Sequence, residues 1–538
     1  MKKIGLIVVF CALITSAWAI PARKRAVVRV QPDGTEVTVY LHGDEHFHWM
    51  TNERGEWIRL EEEDGFYRVT DQLTAEEIQT KRMAAPRRVE YKATPLNIAP
   101  RGLVILVNFQ DVAFTTTKAE MDSMLTGQNY TRAYSYMYRG KKYEITSEGS
   151  ARQYFEDASF GQYNLQLDVV GPVTVNSDMK YYGENTSAGG DKHPETMIKE
   201  ACLLVDDSID FSLYDNDSDG YVDFVYVIYA GYGEADGGED NTIWPHAWNL
   251  YRAAGIRCEV DGKIVDLYAC GNEMDNFSKY HTGIGTFCHE FSHVLGLPDL
   301  YETTGYGAHK TVGQWSILDY GPYNNEGNTP PMYSAYERFF MGWLTPELII
   351  DSADIVLEKL NDSQQALLIS TTDQHNLVGN DPNPTKFYLL ENRQQEGWDT
   401  YLPGHGLMLT YIQYEYRKWE GNTVNNSASK MGVDLIEADG KAPDGNMGKA
   451  KDLFPAGATA YLGIENHPIE EIEEIDGVIK FKYRGGAIGT AIENVIANEP
   501  IVAIYNILGQ KQATTNIELL PSGTYIVVKT SGSYKIVR

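Results

Sequence analysis

The stretch FCHEFSHVLGLPDLY, residues 287–301, constrains the fold more than any other part of the chain. It places His289 and His293 four residues apart around Glu290. On an α-helix this spacing puts both imidazoles on one face, where they can bind one metal ion with the glutamate beside it. The alternative is a buried helix whose phenylalanines are core residues and whose histidines are incidental.

The residues that follow complete a possible ligand set. Gly296 allows the chain to leave the helix with a positive φ, and Pro298 stiffens the next turn. Asp299 can then return to the metal as a third ligand, ten residues after His289. Zinc held by three protein ligands keeps a fourth position for water and lowers the pKa of that water to about 7. Glu290 is then expected to act as the general base, which favours zinc chemistry over the incidental interpretation.

A second metal signal is YDNDSDGYVDF, residues 214–224. Four carboxylates occupy positions one, three, five and nine of a calcium-loop pattern: Asp215, Asp217, Asp219 and Asp223. Gly220 lies at the sharp turn, but position twelve is Tyr226 and not the usual glutamate. We therefore predict a shortened, structural calcium loop. The alternative is an Asp- and Asn-rich turn before a strand.

Composition narrows the class of protein. Lys and Arg number 46 against 75 Asp and Glu, so the net charge of −29 argues against nucleic-acid binding. The acidity suits a protein that binds divalent cations, with simple solubility as the alternative. Residues 1–19, MKKIGLIVVFCALITSAWA, are typical of a secretory signal cleaved after Ala19. No later stretch approaches the ~20 apolar residues of a membrane span.

Cysteine pairing stays open at this stage. Beyond the predicted signal the cysteines are Cys202, Cys258, Cys270 and Cys288. Export permits disulfides, and Cys258 with Cys270 could close a hairpin whose turn is Asp261-Gly262. The sequence does not fix the pairing. Cys288 is expected to be a small core residue.

Pattern changes along the chain predict an α+β protein of several units. The N-terminal unit alternates like strands and ends in a basic, proline-containing stretch, and the next unit mixes buried strands with helices. After about residue 344, Gly, Asn and Asp punctuate β-rich segments. The predicted units are a signal peptide (1–19), a propeptide (20–100), a catalytic domain (101–343), a β-rich accessory domain (344–485) and a C-terminal β module (486–538).

Several stretches resemble the immune-inhibitor-A family of secreted zinc metallopeptidases. They are IWPHAW (243–248), IGTFCHEFSHVLGLPDLY (284–301), QWSILDYG (314–321), MGWLTP (341–346) and YLLENRQQEGWDTYLPGHGLMLTY (388–411). The resemblance covers about residues 101–480. It implies that His289, His293 and Asp299 are zinc ligands and that Glu290 is the general base. The implied fold is a zincin, a twisted sheet packed on the active-site helix, followed by β-rich modules.

One position departs from related metallopeptidases. Leu318 stands where metzincin-like enzymes place the methionine of their Met-turn, and we expect altered packing more than lost activity. Tyr320 is a candidate catalytic residue that stabilises the oxyanion or approaches the metal, and a packed aromatic is an equal alternative. By the same resemblance, His405 is expected to make a buried structural hydrogen bond.

Two other polar clusters carry weaker signals. The loop GEADGGED is expected to hold solvated charges, with extra metal ligation as the alternative; its acids are Glu234, Asp236, Glu239 and Asp240. His46 and His48 alternate as on a strand and are expected to be surface residues, with metal ligation as the alternative.

The C-terminal end also resembles a known module, the sorting domain of the type IX secretion system of Bacteroidetes. The matching parts are IYNILGQ (504–510), LPSGTYIV (520–527) and YKIVR (534–538). The resemblance implies passage through the outer-membrane secretion machinery to the cell surface or the medium. The alternative is a last β module that stays attached.

These observations together predict a secreted zinc endopeptidase, a monomer made as a zymogen, that acts on proteins or peptides. Residues 20–201 contain no cysteine, so the propeptide must block the site with a carboxylate, a histidine or steric cover. The alternative for residues 20–100 is a permanent β domain. The rival function is a surface or secreted binding protein on a degenerate peptidase scaffold. A third possibility is a peptidase for a narrow substrate such as a bacteriocin-like peptide.

Overall fold

The computed structural model describes most of the chain. The described residues are 20–61, 63–74, 76–78, 80, 100–186, 190–304, 309–442, 447–486, 501–506, 509–515, 520–521, 524–529 and 532–537. The predicted signal peptide and residues 81–99 of the basic joining stretch lie outside them. None of the described helices is long and apolar enough to cross a membrane.

An antiparallel sheet of five strands forms the N-terminal unit. Its strands, each paired with the next, are β1 (Ala26–Val30), β2 (Glu36–Asp44), β3 (Phe47–Thr51), β4 (Trp57–Leu60) and β5 (Tyr67–Val69). Phe47, Trp49 and Trp57 stack along one face, with ring centroids 5.7 and 5.3 Å apart. The contact between Trp49 and Trp57 joins neighbouring strands, and cross-strand aromatic pairs stabilise a small sheet.

The next part of the chain mixes strands and helices, as predicted. Its strands are β6 (Arg101–Asn108), β7 (Thr131–Tyr138), β8 (Lys141–Glu148), β9 (Gln166–Thr174), β10 (Tyr221–Val222), β11 (Val225–Tyr232), β12 (His246–Asn249), β13 (Cys258–Val260), β14 (Lys263–Val265) and β15 (Leu267–Met274). Its helices are α1 (Lys118–Thr126), α2 (Ala151–Ala158), α3 (Met179–Gly183), α4 (Pro194–Val205), α5 (Leu250–Ala254), α6 (Gly285–Val294) and α7 (Ala335–Phe340).

A five-stranded sheet of order β12-β15-β11-β6-β9 forms the centre of this part. β15, β11, β6 and β9 run parallel, and β12 is an antiparallel edge. Both faces are covered, which explains the nearly continuous apolar runs in its strands. Phe287 and Phe291 of α6 join the core on one face, whereas α4 packs on the other.

The start of α6 fits closely against the segment Gly321–Gly327. A Cβ on Gly285 would lie 2.0 Å from the carbonyl oxygen of Pro322, and one on Gly283 would lie 2.1 Å from that of Gly327. Only glycine permits backbones to approach so closely. The helix that carries both histidines is thereby held in register with the residues after Tyr320.

The β-rich part packs on the same core. Its strands are β16 (Glu347–Leu348), β17 (Ala353–Leu357), β18 (Leu367–Ile369), β19 (Lys386–Arg393), β20 (Gly406–Gln413), β21 (Val433–Leu435), β22 (Ile469–Ile475) and β23 (Val478–Tyr483), with helices α8 (Leu360–Ser363) and α9 (Tyr416–Glu420). They form sheets of order β16-β18-β19-β20-β21 and β17-β23-β22. Phe387, Met408 and Trp419 share the core that contains Phe291. The sheets therefore separate near residue 344, but the hydrophobic core continues across that point.

Three more strands, β24 (Ala503–Asn506), β25 (Thr524–Lys529) and β26 (Gly532–Val537), form an antiparallel sheet near the C-terminal end. This agrees with a β-rich last unit. The stretches that resemble a sorting domain lie partly outside the described residues, and that assignment stays a prediction.

The structure corrects the expected cysteine hairpin. The turn Asp261-Gly262 does join β13 to β14, but Cys258 lies opposite Val265. Cys270 lies in the central sheet opposite His246, so a Cys258–Cys270 disulfide is wrong. The described cysteines are all buried free thiols, and Cys288 is a core residue as predicted.

Candidate metal site and cleft

The helix α6 and the turn after it bring three side chains to one point. The Nε2 atoms of His289 and His293 are 3.0 Å apart. They lie 3.3 and 3.2 Å from Oδ1 of Asp299. All three side chains are fully buried. Gly296 has a φ of 101°, as the sequence led us to expect, and this turn returns the aspartate to the histidines.

Hydrogen bonds on the far side of each ring decide what these atoms can bind. Nδ1 of His289 lies 2.7 Å from the carbonyl oxygen of Ile317, and Nδ1 of His293 lies 2.8 Å from that of Leu297. Because a carbonyl only accepts, each Nδ1 carries the proton and each Nε2 presents a lone pair. Two lone pairs and a carboxylate oxygen therefore converge, and a divalent cation fits that donor set.

The third converging side chain is held by a residue that sequence reasoning missed. The backbone N–H of Asp299 donates to Oδ1 of Asn422 over 2.8 Å, and Nδ2 of Asn422 donates to Oδ2 of Asp299 over 2.6 Å. Asp299 Oδ1 receives no hydrogen bond from the described residues. Burial raises the pKa of Asp299, but at low pH the neighbouring imidazoles are charged and their attraction outweighs burial, which lowers this pKa to about 2. The aspartate is thus an oriented anion whose remaining oxygen faces the histidines.

Glu290 is fully buried on the same helix. Burial raises its pKa well above the usual value, and the charge of Asp299 adds to the effect. Its Oε1 accepts the backbone N–H of Ile20 over 2.9 Å. Its Oε2 receives no hydrogen bond from the part of the chain that the structure describes. A buried carboxylate with a raised pKa is suited to accept and release a proton.

The N-terminal segment, residues 20–25, covers this glutamate. Besides the bond to Glu290, the carbonyl oxygen of Ile20 accepts from Nε1 of Trp244 over 3.0 Å. The next carbonyl, that of Pro21, accepts from the hydroxyl of Tyr323 over 2.7 Å. These contacts use main-chain atoms of the segment, as peptide recognition in a cleft commonly does. The segment therefore lies over Glu290 and is held by its main-chain atoms, as a bound peptide would be. We call the space that it occupies the cleft.

Two further contacts hold the next residues of the segment 20–25. The backbone N–H of Arg23 donates to the carbonyl oxygen of Ala235 over 2.9 Å. The Nζ atom of Lys24 lies over the ring of Tyr320, 4.4 Å from its centroid. Tyr320 is buried, and its ring packs against this lysine of the segment. A catalytic role for its hydroxyl stays a prediction.

The two histidines of the N-terminal sheet are not ordinary surface residues, and that expectation is wrong. Nε2 of His48 lies 3.0 Å from Oε1 of Glu234, and its ring stacks on Trp244 with centroids 4.9 Å apart. Nε2 of His46 lies 3.1 Å from Oε1 of Glu45. His48 packs where the N-terminal sheet meets the acidic loop, and His46 packs against Trp248. The sequence pattern could not reveal either contact.

The acidic loop likewise differs from the expectation of solvated charges. Glu234 and Asp236 are buried, and Asp236 Oδ1 lies 3.3 Å from Nη1 of Arg23. Glu239 is exposed, but it lies 3.0 Å from Nη1 of Arg29. The arginine partner of Asp236 is 213 residues away in the chain, so local composition gave no sign of burial.

The predicted calcium loop is only partly assembled. Carboxylate oxygens of Asp215, Asp217 and Asp219 lie within 4.8 Å of one another. Asp223 is not among them, since its Oδ2 accepts two hydrogen bonds from Asn216. A further side chain reaches the loop: Nζ of Lys263 lies 2.6 Å from Oδ2 of Asp215. The lysine already supplies positive charge there.

Two predicted neighbours of the site are also placed. Leu318 is buried, and its carbonyl oxygen accepts the N–H of Leu300 over 2.7 Å, which ties its turn to the loop after α6. The prediction of a buried hydrogen bond for His405 is wrong about burial, because its side chain is 52% exposed. Its Nδ1 lies 2.9 Å from Oε1 of Glu474, so it has a structural partner at the surface.

Two histidines one helical turn apart, a returning carboxylate and a buried glutamate form the arrangement that metal-dependent peptidases use. Residues 97–344 match the family described as immune inhibitor A peptidase M6, catalytic domain. This supports the resemblance for that segment and a metallopeptidase domain within it.

Two relatives give the same indication. The chain is 27% identical over 290 residues to immune inhibitor A of Bacillus thuringiensis subsp. alesti, covering 48% of this chain and 42% of that protein. It is 27% identical over 216 residues to the pre-pro-metalloprotease PrtV of Vibrio cholerae serotype O1 (strain M66-2), covering 36% of this chain and 23% of that protein. The chain therefore spans less than half the length of these curated relatives.

We predict that Asn422→Gly lowers the affinity for zinc about 10- to 100-fold, because Asp299 loses the amide that orients it. Glycine is chosen because Asn422 has a φ of 48°, which alanine would adopt only with strain. Competition with a chromophoric chelator measures the affinity. Asn426→Gly is the matched control, since Asn426 bonds Thr303 and not the aspartate. Equal affinities in the two variants would contradict the orienting role.

Proposed function

We propose that the chain is a secreted, zinc-dependent endopeptidase with a zincin-type catalytic domain. His289, His293 and Asp299 hold the zinc, and Glu290 is the general base. The observation that carries this proposal is the convergence of both Nε2 lone pairs and Asp299 Oδ1 on one point. The similarity to metallopeptidases of the M6 family supports it. A binding protein would have no use for a buried base beside that point.

Glu290 and the residues that orient the two histidines have distinct roles in peptide hydrolysis. When bound, zinc polarises the substrate carbonyl and lowers the pKa of water. Glu290 accepts a proton from the attacking water, because its carboxylate lies on the same helix beside the two histidines. The carbonyl oxygens of Ile317 and Leu297 keep both histidines in the tautomer that presents Nε2. The same glutamate then passes the proton to the leaving nitrogen.

Residues 20–100 form an inhibitory propeptide in this proposal. Support comes from the segment 20–25, because the nitrogen of Ile20 donates a hydrogen bond to Oε1 of Glu290 and the segment covers this base. Steric cover and a hydrogen bond to the base thus replace the thiolate that this region lacks. We further propose export by the signal 1–19 and sorting by the module 486–538, with the catalytic and β-rich units at 101–343 and 344–485.

Glu290→Ala should keep zinc but lose nearly all peptide hydrolysis, by at least about 100-fold, because the water then has no base. Asp299→Ala should instead lower the zinc content, because it removes a ligand. The measurements are metal content by mass spectrometry and cleavage of a diverse peptide library with and without a zinc chelator. Full hydrolysis by the Glu290 variant would refute the assigned base.

Processing of the propeptide gives a second prediction. The joining stretch contains Lys81, Arg82, Arg87, Arg88 and Arg101 among prolines and alanines, a composition typical of cuttable linkers. We expect active protein from the culture medium to begin between about residues 82 and 102. N-terminal sequencing measures this. Fully active protein that begins at Ile20 would show that residues 20–100 are a permanent domain.

Calcium at the Asp215 loop is a separate proposal. A cation that binds only the folded state raises its stability, so millimolar calcium should raise the melting temperature of the full chain. Replacement of Asp217 and Asp219 together by alanine should abolish the increment, and the exposed Asp207→Ala serves as the control. If Lys263 alone satisfies the loop, calcium will leave the melting temperature unchanged, and the calcium proposal fails.

A further inference from the structure

The guanidinium of Arg23 lies in a buried pocket beside the cleft. Its Nη1 bonds Asp275 over 2.5 Å and lies 3.3 Å from Oδ1 of Asp236, while its Nη2 bonds Glu326. These three carboxylates come from separate segments: the loop after β11, the end of β15 and the segment Gly321–Gly327. The pocket is therefore built by the fold and not by one acidic run.

Two aromatic rings complete this acidic pocket. The guanidinium carbon of Arg23 lies 4.8 Å from the ring centroid of Phe277 and 5.5 Å from that of Tyr323. Carboxylates meet the edge of a planar fork while rings cover its faces, an arrangement that suits arginine better than lysine. Tyr323 also holds the main chain at Pro21, so side-chain and main-chain recognition are joined.

The walls of the acidic pocket all belong to the part of the chain after residue 100. Removal of the propeptide would leave Asp236, Asp275 and Glu326 without the arginine. Asp275 Oδ1 is fixed by the N–H groups of Phe277 and Ser278, at 3.1 and 2.6 Å, so this carboxylate cannot simply turn away. Buried carboxylates that lose their cation are costly. The emptied pocket would therefore bind another cation that reaches it.

The contact at Glu290 shows which residue of a bound peptide would supply such a cation. Hydrolysis breaks the C–N bond, and the leaving nitrogen must receive the proton that the glutamate took from water. The nitrogen that contacts Glu290 is that of Ile20, so Ile20 occupies the place of the first residue after the cut. By chain order, Arg23 occupies the place of the fourth.

We propose that this acidic pocket is a substrate subsite for arginine, the fourth residue on the carboxyl-terminal side of the cleaved bond. The inference rests on the proposed peptidase function and adds its substrate class: peptides with arginine at that position. The propeptide then blocks the enzyme by presenting the same side chain. If Arg23 were only an internal latch, the mature enzyme would show no such preference.

A binding experiment tests the pocket without catalysis. The full chain with both Arg23→Ala and Arg25→Ala vacates the pocket, because Arg25 also reaches Glu326. Thermal shift or calorimetry then measures N-acetyl-argininamide against the lysine and citrulline analogues. We expect arginine to bind at least about tenfold more tightly than citrulline, its neutral isostere, because the pairing is a buried ion pair. Addition of Asp275→Asn should remove the difference. Equal binding of arginine and citrulline would overturn the subsite.

A cleavage experiment separates this inference from the proposed function. Protein matured in the culture medium is given peptides that carry arginine, lysine or citrulline at the fourth position after a common cut. We expect a higher kcat/KM for arginine, with the gain mainly in KM, and Glu326→Gln should reduce that gain, because the pocket loses one of its three negative charges. Cleavage of all peptides at equal rates would overturn the subsite and keep the peptidase. Cleavage of none would overturn the peptidase function, while the binding experiment still decides the pocket.

Discussion

The structure depends on one electrostatic constraint: three acceptor atoms point at one buried position. Without the carbonyl bonds of Ile317 and Leu297, either imidazole could turn a proton toward the other ring and relieve the repulsion. Those bonds prevent it, so the site favours a cation by construction. The backbone hydrogen bond from Leu300 to Leu318 holds the turn that contains Ile317 in place. This buried bond therefore helps to keep the carbonyl oxygen of Ile317 against His289.

The same constraint ties the β-rich part to the part of the chain that contains α6. Asp299 is oriented by Asn422, which follows α9, and Trp419 of that helix shares a core with Phe291 of α6. A hydrogen bond between the two parts would be too weak to place a ligand if the helices could slide. The continuous hydrophobic core removes that freedom, so packing and ligand geometry act together.

Sequence alone could predict the features that depend on local spacing. Periodicity predicted the mixed sheet-and-helix architecture, and the His289-to-Asp299 interval predicted which residues converge. It could not find Asn422, which lies 123 residues from its partner, because no spacing rule joins them. It also misjudged Glu234 and His48, since each looks like a surface residue until the other covers it. Long-range pairing, and not intrinsic propensity, decided the burial of these groups.

Part of the large negative charge of the chain lies where it can bind basic residues, so its role is not limited to solubility. Several acids line the cleft where the basic segment enters, and Arg23 and Arg25 both reach Glu326. Arg25 also lies against aromatic rings, 4.5 Å from the centroid of Tyr143 and 4.4 Å from that of Phe277. Opposite charges in a water-poor cleft attract more strongly than at an exposed surface. The same negatively charged side chains would therefore hold the inhibitory segment and, after its removal, a basic peptide.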